Sequence, residues 1–232
     1  MVGERPMIDY AFAAAARAGC QSGLLALAPG KERLLSHAHE VWSISIAAFY
    51  QSSPRGTGHL LTEAVEWIAR WPVFYVMPDT IFTGLTPIMI DEARGQHDRL
   101  GTAAHLFLWP TNESTQMGCF EVDNGLVVRH CEKRVPDWSP RDDGTYLAWG
   151  AAILWPDFFE TALDALHSPP YSTQSAHREF TIDDVYDAAL ASGCRLGASV
   201  ADGVYVDCGT PEGIKRAERF LSQGVDVVQD PH

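Results

Sequence analysis

Three short apolar runs, spaced by helical stretches, constrain this chain more than any other feature. Residues 24–28 (LLALA), 42–50 (WSISIAAFY) and 72–77 (PVFYVM) are too short for buried helices and are bounded by polar or glycine-containing turns, so they predict strands. Residues 31–39 and 59–70 carry the helical pattern between them. Strand, helix, strand in that order requires parallel strands joined by crossover helices. Ligands of such sheets bind beyond the carboxyl ends of the strands. Two segments leave strands at that edge: residues 51–58, and Pro78-Asp79-Thr80. Upstream, residues 7–18 are alanine-rich and predict a helix, with Pro6 tolerated in its first turn and Gly19 as its stop.

The second half changes character. Residues 116–122 and 126–131 flank Asp123-Asn124-Gly125, a strong hairpin signal. Residues 136–144 predict a polar loop, 146–154 a strand, 156–166 a helix and 168–177 another loop. Thr181 caps a helix running to Ser192, with Asp183 and Asp184 in its favourable first turn. Strands follow near 195–200 and 204–207, and Pro211 opens a last helix through Leu221. The expected fold class is α/β, a Rossmann-like mixed and mainly parallel sheet. It is expected as one domain over residues 1–222, with a tail at 223–232.

Charge and cysteine content exclude several functions. Thirty acidic against 17 basic residues give a formal net charge of −13. That balance argues against nucleic acid as a partner, because a phosphate backbone selects Lys/Arg-rich faces. It does not exclude a small phosphate ligand held by backbone amides, a lysine or a metal ion. No run is apolar enough to span a bilayer, and Met1 to Pro6 opens no signal peptide. The five cysteines are widely spaced with no C-x-x-C pair, which predicts neither a disulfide framework nor a zinc site, and a cytoplasmic location. Gly56-Thr57-Gly58 lacks the third glycine of a dinucleotide fingerprint. His37 and His39, two apart on a helix, do not share a face for a metal.

The residues with chemical promise lie at strand ends. Asp79 follows the run Val73-Phe74-Tyr75-Val76-Met77, and Asp207 ends Val204-Tyr205-Val206. Two carboxylates plus substrate phosphates suit Mg²⁺, which keeps hard oxygen ligands. Each aspartate could equally cap a turn or the next helix. Lys133, after Glu132 at the end of the hairpin, could set a point charge on a phosphate. Gln51 offers a donor and an acceptor to a base edge, and Gly56 permits close backbone approach. Solvated strand ends and an ordinary polar loop are the plainer readings.

Taken in order, these segments resemble the sugar-1-phosphate nucleotidylyltransferases (NDP-sugar pyrophosphorylases), especially the glucose-1-phosphate thymidylyltransferase type, over about residues 2–221. Pro6-Met7-Ile8-Asp9-Tyr10 is similar to the family's KPMI-x-Y, Gln51-Ser52-Ser53-Pro54-Arg55-Gly56 to QPSPDG, and Glu132-Lys133-Arg134 to EKP. Val76-Met77-Pro78-Asp79 resembles the strand that ends in a metal aspartate. Met117-Gly118 resembles YG, and Gly150 falls on the sugar-binding strand. Phe180-Thr181-Ile182-Asp183-Asp184 resembles EITD, and Val206-Asp207-Cys208-Gly209-Thr210-Pro211 resembles LDTGT. Departures are Arg5 for Lys, Arg55 for Asp, Pro78 for Gly and Arg134 for Pro.

The resemblance implies that a sugar-1-phosphate oxygen attacks the α-phosphorus of a nucleoside triphosphate and pyrophosphate leaves. It assigns Asp79 and Asp207 to Mg²⁺, and Lys133 to the sugar phosphate. Glu132, Gly118 and Gly150 fall to the sugar hydroxyls, and Gln51 and Gly56 to the base. It also implies a homo-oligomer. The family's opening strand and Gly-rich loop, of the form GGxGTRLxPxT, have no counterpart in the sequence, and the expected fold therefore omits that strand. Two functions stay open: NDP-sugar synthesis, and a non-catalytic sugar-phosphate-binding or regulatory paralogue.

Overall fold

The computed structural model describes residues 1–169 and 179–223. In chain order the elements are α1 (Ile8–Arg17), β1 (Ser22–Leu27), α2 (Glu32–Val41), β2 (Ser45–Tyr50), α3 (Thr57–Ile68), β3 (Val73–Val76), β4 (Thr80–Phe82), α4 (Pro87–Leu100) and β5 (Ala104–Thr111). After these come β6 (Cys119–Asp123), β7 (Leu126–Cys131), β8 (Tyr146–Leu154), α5 (Pro156–His167), α6 (Ile182–Ala191), β9 (Leu196–Val200), β10 (Tyr205–Asp207) and α7 (Pro211–Leu221). The predicted loop at 168–177 and the tail at 223–232 lie almost entirely outside the described residues.

A six-stranded sheet in the order β3-β8-β5-β9-β7-β6 forms the centre. The pairing directions make β3, β5, β6 and β9 point one way and β7 and β8 the other, so the sheet is mixed. β5 shows why the sheet is buried on both faces. Leu106, Phe107, Leu108 and Trp109 are all fully buried. Leu106 and Leu108 pack with Leu61 of α3, Phe158 and Phe159 of α5, and Val185 and Tyr186 of α6. Their neighbours Phe107 and Trp109 pack on the other side with Ala14 of α1 and Ile90 of α4. Period-two alternation therefore feeds two cores through one strand. Each such side chain contributes about 1.5–3 kcal/mol of transfer free energy.

β1 and β2 form a separate parallel pair in register from Ser22↔Ser45 to Leu27↔Tyr50, as the crossover through α2 demands. β3 does not continue that pair. It hydrogen-bonds antiparallel to β8, and within the described residues β1 has only β2 as a partner and β3 only β8. Residues 42–44, expected as part of a strand, instead end α2. Trp42 is its C-cap, buried, with its indole N–H donating to Asp9 Oδ1 at 2.9 Å. His37 also meets Asp9 Oδ1, at 2.8 Å, while His39 bonds the Ile46 carbonyl, so those histidines tie elements together.

Residues 80–115, for which no element is predicted above, hold β4, α4 and β5. α4 has readable ends: Thr86 Oγ1 accepts from the Met89 amide at 3.3 Å, Pro87 occupies the first turn, and Gly101 leaves the helix at φ +61°.

Candidate active site

The pairing of β4 with β10 builds the acidic part of the site. They run antiparallel, with Asp207 opposite Thr80, Val206 opposite Ile81 and Tyr205 opposite Phe82. Ile81 and Val206 are buried in a third core with Tyr10 and Ala13 of α1 and Ala217 of α7, which anchors the ladder. Asp79 directly precedes Thr80, so this register delivers it beside Asp207. The Cys208 amide donates to the Asp79 carbonyl at 2.7 Å and closes the corner. A Cβ placed on Gly209 would stand 3.1 Å from Asp207 Oδ1 and 3.6 Å from Asp79 Oδ2, so both carboxylates converge on one point.

Among the described residues no basic side chain pairs with these two like charges. Burial pushes the Asp79 carboxyl above its ordinary value, and the nearby Asp207 charge adds to that. Burial, then Asp207 and Asp79, push the Cys208 thiol up to about 11. Among the described residues no ion pair involves either aspartate. The Gly209 amide donates to Asp207 Oδ1 at 2.7 Å. The pair therefore fits a hard divalent cation. Among the described residues no three or more His, Cys, Asp or Glu are arranged to hold a metal ion, so such an ion would need further oxygens from a ligand.

Asp79 and Asp207 line a cavity of about 140 Å³ with Met77, Gln116, Met117, Gly118, Trp149, Gly150 and Tyr205. Gly150 keeps it open. A Cβ there would lie 2.9 Å from both Trp109 and Tyr205, rings whose centroids are 6.1 Å apart. Trp109 cannot yield readily, because its Nε1–H donates to the Thr83 carbonyl at 2.7 Å. At Gly118 a Cβ would collide with Asp183 Oδ1 and stand 3.0 Å from His130 Nε2. Glycine at both positions exposes backbone to the cavity. The segment carrying Gln116 to Gly118 is fastened from outside, because the Arg216 guanidinium of α7 grips both carboxylate oxygens of Glu113.

Other predicted residues sit farther out. Lys133 is exposed at φ +45°, and its amide donates to the Met117 carbonyl at 3.2 Å, which places it next to the cavity wall without lining it. Glu132 is partly buried, and burial followed by Asp183 and Asp184 raises its pKa. Gln51 and Gly56 do not line this cavity. Gln51 Nε2 donates to Glu63 Oε2 at 2.9 Å, and Glu63 Oε1 also meets Arg55 at 3.4 Å and His59 at 3.2 Å. Gly56, at φ +104°, is the N-cap of α3 and lies so close to the Phe180 carbonyl that a Cβ would collide with it. The loop is laced to the start of α6: Phe180 N–H to Arg55 O at 2.9 Å, Gly58 N–H to Phe180 O at 3.0 Å, and Ile182 N–H to Thr57 Oγ1 at 2.9 Å.

Several neighbours of the site were not singled out by the sequence. Trp149 and Tyr205 line it and look like core residues in a strand pattern. Behind Gly118 the His130 ring, its side chain buried, meets the Asp183 carboxylate and the exposed Asp187 carboxylate. The spacing of the two aspartates, four apart on α6, was readable as one helix face; their partner on β7 was not.

The sequence matches the family described as nucleotidyl transferase over residues 1–224. Among solved structures, the chain is similar to a protein described as a glucose-1-phosphate thymidylyltransferase from Bacillus anthracis in complex with sucrose. Identity is 18%, the TM-score is 0.79, and the match covers 99% of this chain and 87% of that one. It is also similar to a UDP-glucose pyrophosphorylase complexed with UDP-glucose, at 20% identity and a TM-score of 0.71, covering 95% of this chain and 88% of that one. The apo form of UDP-glucose pyrophosphorylase matches at 19% identity with the same TM-score of 0.71.

Proposed function

The chain belongs to the nucleotidyl transferase family, and on that premise we propose that it joins a nucleoside triphosphate to a sugar-1-phosphate, forming an NDP-sugar and pyrophosphate. The observation that carries this reading is the convergence of Asp79 and Asp207 on one side of a cavity whose other walls present the backbone of Gly118 and Gly150. Two neighbouring carboxylates cannot themselves receive a phosphate, so they call for a cation between them and the ligand.

Asp79 and Asp207 would hold Mg²⁺, which supplies charge neutralisation to the phosphates when bound. The attacking atom is an oxygen of the sugar phosphate, the bond formed is to the α-phosphorus, and the bond broken releases pyrophosphate. Little covalent work falls to the protein, so its residues act by positioning. Gly118 and Gly150 offer backbone groups to sugar hydroxyls, and Glu132 accepts from a hydroxyl. Lys133 sets its charge on the sugar phosphate from the rim. With its Nε2 engaged by Glu63, Gln51 keeps its amide oxygen to accept from a base N–H, and Gly56 lets that base approach. The unpaired cysteines suit a reducing, cytoplasmic setting, and among the described residues no helix is long and apolar enough to cross a membrane.

A second reading is a paralogue that binds a sugar phosphate without nucleotidyl transfer. The placement of Gln51 and Gly56 against Glu63 and Phe180, away from the cavity, favours it. Incubation with Mg²⁺, glucose-1-phosphate and each of dTTP, UTP, CTP, GTP and ATP, followed by mass spectrometry, separates the two. An NDP-glucose product supports transfer. Calorimetric binding of glucose-1-phosphate with no product and no triphosphate binding supports the paralogue.

A further inference from the structure

The side chain of His130 is fully buried, yet both of its ring nitrogens face carboxylates: Nε2 meets Asp183 Oδ1 at 3.1 Å and Nδ1 meets Asp187 Oδ1 at 2.8 Å. A neutral imidazole has one N–H, so two carboxylate partners require the doubly protonated ring. Phe120 packs against it at 4.6 Å and Tyr186 meets it edge-on at 6.3 Å, which excludes water and fixes its plane. The group reaches the cavity through one residue. Gly118 lines the cavity, and the space where its Cβ would be is taken by Asp183 Oδ1, with His130 Nε2 at 3.0 Å.

We propose that His130 is a positioning residue of the sugar-phosphate wall: its imidazolium pins Asp183 behind Gly118 and offsets the carboxylates clustered there, so that an anionic ligand is accepted at that wall. The proposal rests on the sugar-phosphate reading of the cavity. The groups around it make the need plain. α6 presents Asp183, Asp184, Asp187 and the Tyr186 phenol; β6 presents the Cys119 thiol, pushed by burial up to about 12; and the end of β7 presents Cys131, Glu132, Lys133 and Arg134. Asp183 and Asp187 both bond the His130 ring, and Glu132 stands beside them with Lys133 and Arg134, which are exposed.

Burial alone would lower the pKa of His130, but its bonds to Asp183 and Asp187 outweigh this and raise it to about 9. The folded value therefore lies above the ordinary 6.5. The stability contributed by the clamp is complete below about 6.5 and is lost as pH rises through about 9. The charge that tempers the wall belongs to the folded state alone and is kept until pH approaches about 9.

The test compares wild type with His130→Gln, which keeps a donor for Asp183 and removes the charge, and with Asp187→Asn, which removes the outer partner. Side-chain NMR titration of wild type is expected to show a histidine, missing from the His130→Gln spectrum, that titrates near 9 rather than 6.5. Asp187→Asn should move it downward. Calorimetry at pH 7 should show glucose-1-phosphate binding weakened about tenfold in His130→Gln, with triphosphate binding unchanged. Wild-type affinity for glucose-1-phosphate should fall as pH passes 9 while that of the variant stays level. A variant that only melts earlier, with unaltered sugar-phosphate affinity, overturns the positioning role alone. Failure of wild type to bind glucose-1-phosphate at all overturns both this role and the substrate assignment.

Discussion

The acidic pole of the cavity and the loop at residues 51–58 are held in place by opposite means. At the acidic pole the backbone does the positioning. The β4–β10 ladder and the Cys208 amide set Asp79 and Asp207 side by side, and among the described residues no basic side chain forms an ion pair with either. At the loop, side chains hold one another. Glu63 collects Gln51, Arg55 and His59, and the Phe180 carbonyl takes the Gly58 amide. A pair of like charges held close costs folding free energy unless something binds there, whereas side chains of opposite charge and hydrogen-bonding capacity gathered together stabilise the fold. On the proposed function, the pole would act on rate and the loop on selection.

That division can be broken by mutation. The largest effect is expected for Asp79→Asn, which should lower kcat by about 10²–10³ while leaving KM for the triphosphate within a few-fold. Steady-state kinetics with a circular dichroism check on the fold will read it, and a change confined to KM would erase the distinction between the regions. Gln51→Ala should do the reverse, raising KM for the triphosphate about tenfold with kcat near wild type. Equal loss in kcat would move Gln51 into the reacting pole. The smallest effect is expected for Thr181→Ala. It removes the capping box of α6, in which Thr181 accepts from the Asp184 amide and Asp184 from the Thr181 amide, beneath the loop. A loss of about 1 kcal/mol in urea unfolding, with kcat unchanged, is the expected result. A large drop in kcat would mean the loop is coupled to the chemistry.

The same contrast explains what could be read from the sequence. Asp79 and Asp207 were legible because each ends an apolar run, and a strand end has a defined place at a sheet edge. Their meeting was not legible, since it depends on a three-residue ladder, β4 with β10, and β4 lies in a stretch for which no element was predicted. β5 was missed although Leu106-Phe107-Leu108-Trp109 is an unbroken apolar run like residues 24–28 and 72–77; His105 and Pro110 at its ends do not read as strand core. The crossover through α2 correctly gave a parallel β1–β2 pair, but nothing local to residues 72–77 says that β3 would choose β8 as its neighbour. Gln51 and Gly56 illustrate the limit of loop motifs. Their type suits base contact, while their orientation is fixed by Glu63 and Phe180, partners contributed by other segments.

The most direct measurement is the Mg²⁺-dependent rate of pyrophosphate release from glucose-1-phosphate and the preferred triphosphate, by wild type and by Asp207→Asn under identical conditions. The account predicts release by wild type that vanishes with chelator, and a rate at least about a hundredfold lower in a normally folded variant. Equal rates in the two proteins, or release by wild type that persists with no divalent ion present, would contradict it.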